Sequence, residues 1–377
     1  MNFDLDDEHE LLRDTVRQFA VEQVAPVAEE LDREKRFPYE IVAQLAELGV
    51  MGMTIPEEYG GAGADTLSYA IAVEELTRID SSVAITVAAH HSLGTLPVYY
   101  FGSEEQKRAW LPDLASGRKL AAFGLTEAGA GSDAGATATT ARLEGGEWVV
   151  DGSKMFITNA GTDITWGVVI TAVTGEAEIS NLVIENGTPG YVISEPMQKL
   201  GWRASDTREL SFQGVRVPEG NLLGPRGAGF QQFLQILDGG RISVAAMGVG
   251  LAQGCYDLAH AYALERQQFG RPISRFQAVQ AKLVDIATEL EAARLLVYRA
   301  AWEKDQGRPF ARTAAMAKLY SGELSHRAAN WALQIHGGYG FMDEYPISRL
   351  YRDQKILEIG EGTNEVQRMV IARQLGL

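Results

Sequence analysis

Glu361 stands between two glycines in Glu358-Ile359-Gly360-Glu361-Gly362-Thr363-Asn364-Glu365-Val366-Gln367-Arg368. Flanking glycines leave the backbone free to project that carboxylate into a cavity, where it could act as a general base. Thr363 has the residue type of an N-cap for a following helix, whose free amides suit an anion or a carbonyl. The same residues also describe a solvated loop acid. Three further segments carry comparable possibilities. In Phe123-Gly124-Leu125-Thr126-Glu127-Ala128-Gly129-Ala130-Gly131-Ser132-Asp133-Ala134-Gly135, small residues let backbone amides approach a ligand, and Thr126 and Ser132 add hydroxyls for a ring edge or a phosphate. In Lys154-Met155-Phe156-Ile157-Thr158-Asn159-Ala160, a ring two residues before a hydroxyl could cover a flat cofactor. In Gln334-Ile335-His336-Gly337-Gly338-Tyr339-Gly340-Phe341, His336 has the pKa of a proton shuttle. Plainer readings fit each: a flexible loop, an apolar strand ending in a turn, and a helix stop capped by Gly337 and Gly338.

The elements that must position these residues change character twice. Up to about residue 120 the apolar spacing is helical, with Leu11, Leu12, Val16, Phe19, Ala20 and Val24 before an interruption at Pro26. Tyr39 to Val50, Tyr69 to Arg78 and Ser82 to Tyr100 continue it, and Pro112 and Gly117 close the region. Between Ala121 and Gly227, short apolar alternations appear at Glu147 to Val150, Trp166 to Val173 and Leu182 to Ile184. Leu210, Phe212, Val215 and Val217 follow with a break in alternation that predicts a bulge. Such strands argue for a β-sandwich or barrel. After Gly229 the helical period returns: Phe276, Val279, Leu283, Ile286 and Leu290 mark one face, and Ala311 to Ala317 and Ala328 to Ala332 suit close helix packing.

Composition excludes several classes. The 377 residues are 46% apolar and 22% charged, ordinary for a globular chain with a large core. A net charge of −16 repels nucleic acid and anionic lipid, so neither is expected as a partner. The single cysteine, Cys255, lies in an apolar run and reads as inert core; no metal is expected. The acidic start, Met1-Asn2-Phe3-Asp4-Leu5-Asp6-Asp7-Glu8, lacks signal-peptide character, and the expected address is the cytoplasm. No strand-Gly-x-Gly-x-x-Gly-helix unit occurs, which argues against a doubly wound nicotinamide domain.

Together the four segments, in this order, resemble the acyl-CoA dehydrogenase family over essentially the whole chain. One characteristic stretch comprises Gly124-Leu125-Thr126-Glu127, Gly131-Ser132-Asp133 and Ala136. The other comprises Gln334, Gly337-Gly338, Gly340-Phe341, Glu344, Arg349 and Asp353. The resemblance implies an α+β fold with an N-terminal all-α domain over residues 1–120, a middle β-domain over 121–228 and a C-terminal four-helix bundle over 229–377. It implies non-covalent FAD, bordered by Phe123, Leu125, Thr126, Gly131 and Ser132 and flanked by Phe156, Ile157 and Thr158. Arg266, Phe269, Gln277, Gln334, Gly337 and Gly338 resemble contacts to a neighbouring subunit's FAD, while Thr363 and Glu365 would sit near the diphosphate and ribose.

Within that resemblance Glu361 matches the base for α,β-dehydrogenation of an acyl-CoA thioester, with Gly362 supplying an amide to the thioester carbonyl. Ser132, Asp238 and Arg241 resemble substrate contacts, and Arg241 could lend local positive charge for the CoA portion. A minority of the family places its base on the helix containing Leu237-Asp238-Gly239-Gly240-Arg241, but Gly239 and Gly240 cannot act as bases. Gly360 replaces a bulky aromatic before the base and widens or reshapes the pocket near the thioester. The implied partners are acyl-CoA, an electron-transferring flavoprotein and further copies of the chain, as a tetramer built from dimers. Two alternatives are an oxidase relative using oxygen and a non-catalytic relative that binds nucleic acid or aids assembly; the acidic charge and the retained Glu361 weigh against the second.

Overall fold

The apolar spacing from Leu11 to Val24 folds as helix α1 (Asp7–Phe19), started by Asp6, whose side chain accepts from the His9 amide. These positions belong to a computed structural model that describes residues 4–377, so Met1, Asn2 and Phe3 of the acidic start lie outside the described residues. A π-helical turn (Ala20–Val24) runs directly into α2 (Ala25–Glu34). Pro26 therefore sits in the first turn of a helix, where its missing N–H leaves no bond unmade, and does not end the run. Next come α3 (Tyr39–Glu47), α4 (Thr66–Ile79), α5 (Ser81–Ala88) and α6 (Leu96–Phe101), the last two joined by a second π-helical stretch (Ala89–Thr95) ahead of Pro97. Helix α7 (Glu104–Ala115) opens on a capping box between Ser103 and Gln106 and keeps Pro112 inside it.

The middle of the chain contributes β1 (Leu120–Gly124), β2 (Thr140–Glu144), β3 (Glu147–Thr158), β4 (Thr165–Gly175), β5 (Glu178–Glu185), β6 (Tyr191–Ile193), β7 (Thr207–Pro218) and β8 (Leu222–Leu223). They form one hydrogen-bonded sheet, ordered β6-β7-β3-β2-β4-β5-β8, with β1 parallel to β4. Strand β1 carries no alternation signal: Leu-Ala-Ala-Phe-Gly is small and weakly β-forming, and its place follows from burial against β4. The break in alternation on β7 is a bulge. Val150 pairs with Val215 and Gly152 with Phe212, so Gln213 and Gly214 stand opposite Asp151 alone, and Phe212 and Val215 both turn inward.

The remainder is α8 (Gly229–Glu265), a hairpin of β9 (Gln267–Gln268) and β10 (Arg271–Pro272), then α9 (Gln277–Asp305), α10 (Ala311–His336), α11 (Pro346–Asp353) and α12 (Asn364–Gln374). Helix α8 packs backbone-close to α4 and α10. A Cβ at Gly250 would collide with the Glu74 carbonyl, and one at Gly248 would lie 2.7 Å from Ser321 Oγ. Consequently Val73 and Leu76 share one core with Val249, Ala317 and Leu324, although they are far apart in sequence. A separate core of Trp148, Val150, Ile170, Leu182 and Phe212 fills the sheet. Cys255 is fully buried, with its thiol pKa pushed up by that burial, as an inert core residue requires. Among the described residues α8 is the one helix long and apolar enough to cross a membrane, and most of that stretch is buried inside the bundle.

Candidate active site

Glu361 occupies a tight turn between a 3-10 segment (Gln354–Glu358) and α12, and it adopts a left-handed φ of 53° followed by 91° at Gly362. A non-glycine residue in that region costs roughly 1–3 kcal/mol and persists only where neighbours over-determine it. Here they do. Gln367 Nε2 donates to the carbonyls of Glu361 (3.2 Å) and Gly362 (3.0 Å), while Lys318 Nζ donates to Gly362 (2.8 Å). Thr363 caps α12 by accepting from the Val366 amide, as its residue type predicts. The amide of Gly362 makes no hydrogen bond among the described residues.

The turn presses the carboxylate against α8. Gly240 has no side chain there, and a Cβ would collide with Glu361 Oε2. That oxygen is buried and has no hydrogen-bond partner among the described residues. Burial raises the pKa of Glu361 to about 7, against the pull of the Lys318 and Arg241 charges. Behind Gly240, hydroxyls run from Tyr69 to Ser92 (2.9 Å) and on to Ser243 (3.3 Å), which donates to the Gly240 carbonyl. The Tyr69 phenol is held protonated by burial, with the Glu361 charge adding to the effect.

Asp238 and Arg241 pair with each other within α8. Desolvation raises the Asp238 pKa and lowers that of Arg241, so each partner offsets only part of the other's burial. The Arg241 guanidinium is 4% exposed, and its charge acts on Glu361.

The expected flavin residues divide into two groups. In the first, Phe123 and Gly124 end β1 instead of opening a loop, and the Phe123 ring lies parallel to Phe233 at 6.3 Å. Beyond Leu125 and Thr126 the chain is tied down by Glu127, which accepts from Lys154 (2.7 Å), from the Thr137 hydroxyl and from the amides of Ala138 (2.7 Å) and Thr139 (3.1 Å). Lys154, fully buried, donates also to the Leu125 carbonyl, Thr137 and Thr171. Those bonds hold Glu127 at about 2, whereas desolvation takes Lys154 down to about 8. Gly131 and Ser132 stay exposed, with open space where a Gly131 side chain would be.

Facing them, the β3–β7 register slips between Lys154 and Ile157, throwing the Phe156 ring out at φ 63° and 60% exposure. Ile157 is buried and Thr158 half-buried beside it. A strained, outward phenyl with no ring partner among the described residues fits the flat flavin, as do the open glycine loop and the half-buried Thr158 hydroxyl.

The second group lies elsewhere. Arg266 stacks 5.5 Å over Tyr339, joining the turn that carries Phe269 to the Gly337–Phe341 turn. Phe269 is 93% exposed, and Gln277, Gln334, Gly337 and Gly338 are exposed too. Among the described residues no hydrogen bond, ion pair or ring contact links them to the Phe123–Ser132 segment. His336 is buried, stacked on Tyr262 and bonded to the Ala332 carbonyl at 2.8 Å, a structural placement. Glu365 is exposed in the first turn of α12.

Lys318, Gln367, Tyr69, Ser92 and Ser243 carry no assigned role in the sequence. A signal exists for Lys318: it shares a helix face with Ala314, Ala315, Ser321 and Gly322, all buried. A lysine among small inward residues needs an internal partner.

Comparison with known proteins places the whole chain beside one family. The family models for the acyl-CoA dehydrogenase N-terminal, middle and C-terminal domains match residues 6–118, 122–215 and 227–376. The chain is 52% identical to the probable acyl-CoA dehydrogenase YngJ of Bacillus subtilis, over 100% of both chains. It superposes on butyryl-CoA dehydrogenase from Megasphaera elsdenii with a TM-score of 0.97 at 41% identity, covering 100% of each chain. A chain in the structure described as electron transferring flavoprotein of Acidaminococcus fermentans gives a TM-score of 0.97 at 44% identity, covering 100% of this chain and 99% of that one.

Proposed function

The chain belongs to the acyl-CoA dehydrogenase family, and from that premise we propose that it converts an acyl-CoA thioester to the trans-2-enoyl-CoA with Glu361 as the base. It is a FAD-dependent flavoprotein oxidoreductase that dehydrogenates acyl-CoA. The observation that carries the assignment of Glu361 is its buried, unpartnered carboxylate oxygen, with a pKa raised to about 7. A carboxylate near 4 is a poor base for a thioester α-proton; one matched to neutral pH is better suited and is still ionised in use.

The residues divide the work as follows. Glu361 takes the α-proton. The free amide of Gly362, fixed by the two donors on its carbonyl, is aimed to stabilise charge on the thioester oxygen. Bound FAD supplies the acceptor for the β-hydrogen, which leaves as hydride. Phe123, Leu125, Thr126, Gly131, Ser132, Phe156, Ile157 and Thr158 hold the cofactor from the sheet side, with Thr363 and Glu365 near its phosphates and ribose. Arg266, Phe269, Gln277, Gln334, Gly337 and Gly338 reach the cofactor of a neighbouring copy; their exposure, with no bond to the first group among the described residues, supports this and an assembly of dimers into a tetramer. Ser132 and the Asp238–Arg241 pair border the substrate. Likeness to a chain in the Acidaminococcus structure supports an electron-transferring flavoprotein as the electron acceptor.

The test is anaerobic bleaching of the yellow protein by acyl-CoA. Glu361→Gln should retain FAD and lose about 10²–10⁴ in rate; full turnover in that variant would rule the base out.

A further inference from the structure

A cavity of about 350 Å³ lies along α8, lined in part by Leu96 and Tyr100 of α6, by Gln235, Ile236 and Gly239 of α8, and by Lys304 near the end of α9. Ile236 precedes Gly240 by four residues and shares its face of α8. Glu361 rests on Gly240, the residue after Gly239 of the cavity wall, so the base and the cavity lie against neighbouring positions of that helix.

Lys304 is the unusual feature of its wall. Its ammonium lies 3.5 Å from where a Gly239 side chain would begin. It makes no hydrogen bond and no ion pair among the described residues, whereas the buried or half-buried lysines 154, 199 and 318 each have two or more acceptors. Its neighbours are already committed. The Asp305 carboxylate accepts from the amides of Thr66 (2.9 Å) and Leu67 (3.3 Å). His91, which feels the Lys304 charge, is bonded to the Met51 carbonyl (3.2 Å) and the Thr54 hydroxyl (2.8 Å). Desolvation lowers the Lys304 pKa, with Asp305 pulling the other way.

A half-buried ammonium in a cavity wall with no protein acceptor is left to solvent, and a ligand oxygen placed in the cavity would take the place of that water. We propose that the preferred acyl group ends in an oxygen acceptor bound by Lys304, so that this chain favours an oxygen-terminated acyl-CoA over a plain alkanoyl one. The inference rests on the reading that the acyl chain enters beside Glu361. A donor fixed in a pocket wall discriminates against an analogue that cannot pair with it.

The experiment compares pentanoyl-CoA, 5-hydroxypentanoyl-CoA and glutaryl-CoA on the holoenzyme and on Lys304→Met and Lys304→Gln. It uses flavin bleaching for kcat/KM and calorimetry on Glu361→Gln for affinity without turnover. An oxygenated thioester should exceed pentanoyl-CoA by about tenfold or more in kcat/KM and in affinity, and both Lys304 variants should bring the ratio toward one. A larger gain with glutaryl-CoA would identify a carboxylate; a larger gain with the alcohol, a neutral oxygen. Preference for pentanoyl-CoA, or a ratio unchanged in both variants, would overturn the proposal. Because the Glu361→Gln protein reports binding alone, a failure of Glu361 as base leaves the affinity ratio readable.

Discussion

Lys318 Nζ donates to the carbonyl of Gly362 at 2.8 Å and not to the Glu361 carboxylate, although its charge is the strongest cationic influence on that carboxylate. One side chain thus fixes the turn and moderates the base, while the base keeps an oxygen free for a substrate proton. Replacing Lys318 with Met removes both effects. The pH profile of kcat/KM should move to higher pH, with the rate at pH 7 falling by about tenfold or more. Lys318→Arg should recover part of the profile. An unshifted profile with a uniformly lower rate would leave Lys318 only a structural part.

Wild-type activity should rise with pH through about 7, because the ionised form of Glu361 accepts the proton and its pKa is raised to that value. Rapid-mixing bleaching between pH 5 and pH 9 measures it. A limb near 4.5 would mean that burial does not govern this group.

The same carboxylate should weaken the fold. Its pKa is higher folded than unfolded, so the folded state binds the proton more tightly, and stability declines as pH rises from about 4.5 to about 7. Glu361→Gln has no such decline. Its stability should exceed the wild type's at pH 8 by on the order of 3 kcal/mol, read as a higher thermal midpoint, and approach it near pH 4.5. Equal differences at both pH values would contradict this.

Lys154→Met should loosen the cofactor-facing segment, because it strands Glu127 within the Phe123–Ser132 stretch and unties the Leu125 carbonyl. Breaking one side of a buried pair costs roughly 3–5 kcal/mol. The expected result is lower stability together with weaker FAD retention on dialysis. Glu127→Gln combined with Lys154→Met should recover part of the stability.

Gly360 has ordinary backbone angles, and a Cβ there would meet only the Ile356 carbonyl at 3.3 Å and its side chain near 4 Å. The backbone does not demand glycine. Gly360→Tyr should therefore fold and narrow the entrance, raising KM for branched thioesters more than for straight ones; equal effects on both would remove Gly360 from substrate selection.

The order helices, strands, helices is legible because period and composition change at each switch, and the bulge at Phe212 and Val215 is legible as a broken alternation. Strand β1 is not, since Ala121 and Ala122 carry no strand signal and are placed by contact with β4. Glu361 is visible as a carboxylate between glycines, but spacing alone does not tell a buried base from a loop acid; that difference lies in Gly240, more than a hundred residues earlier. Lys318 and Lys154 are long-range partners too. Each shows locally only as a charge on an inward face: Lys154 keeps the parity of Trp148 and Val150.

Gly240 also limits what this chain can become. Its missing side chain is the space in which the Glu361 carboxylate sits, so an acid at position 240 and one at 361 would claim the same volume. Moving the base onto α8 requires emptying position 361 in the same step or before it. A single substitution at either position gives a crowded site or one without a base, and only the paired exchange offers a workable route between the two arrangements.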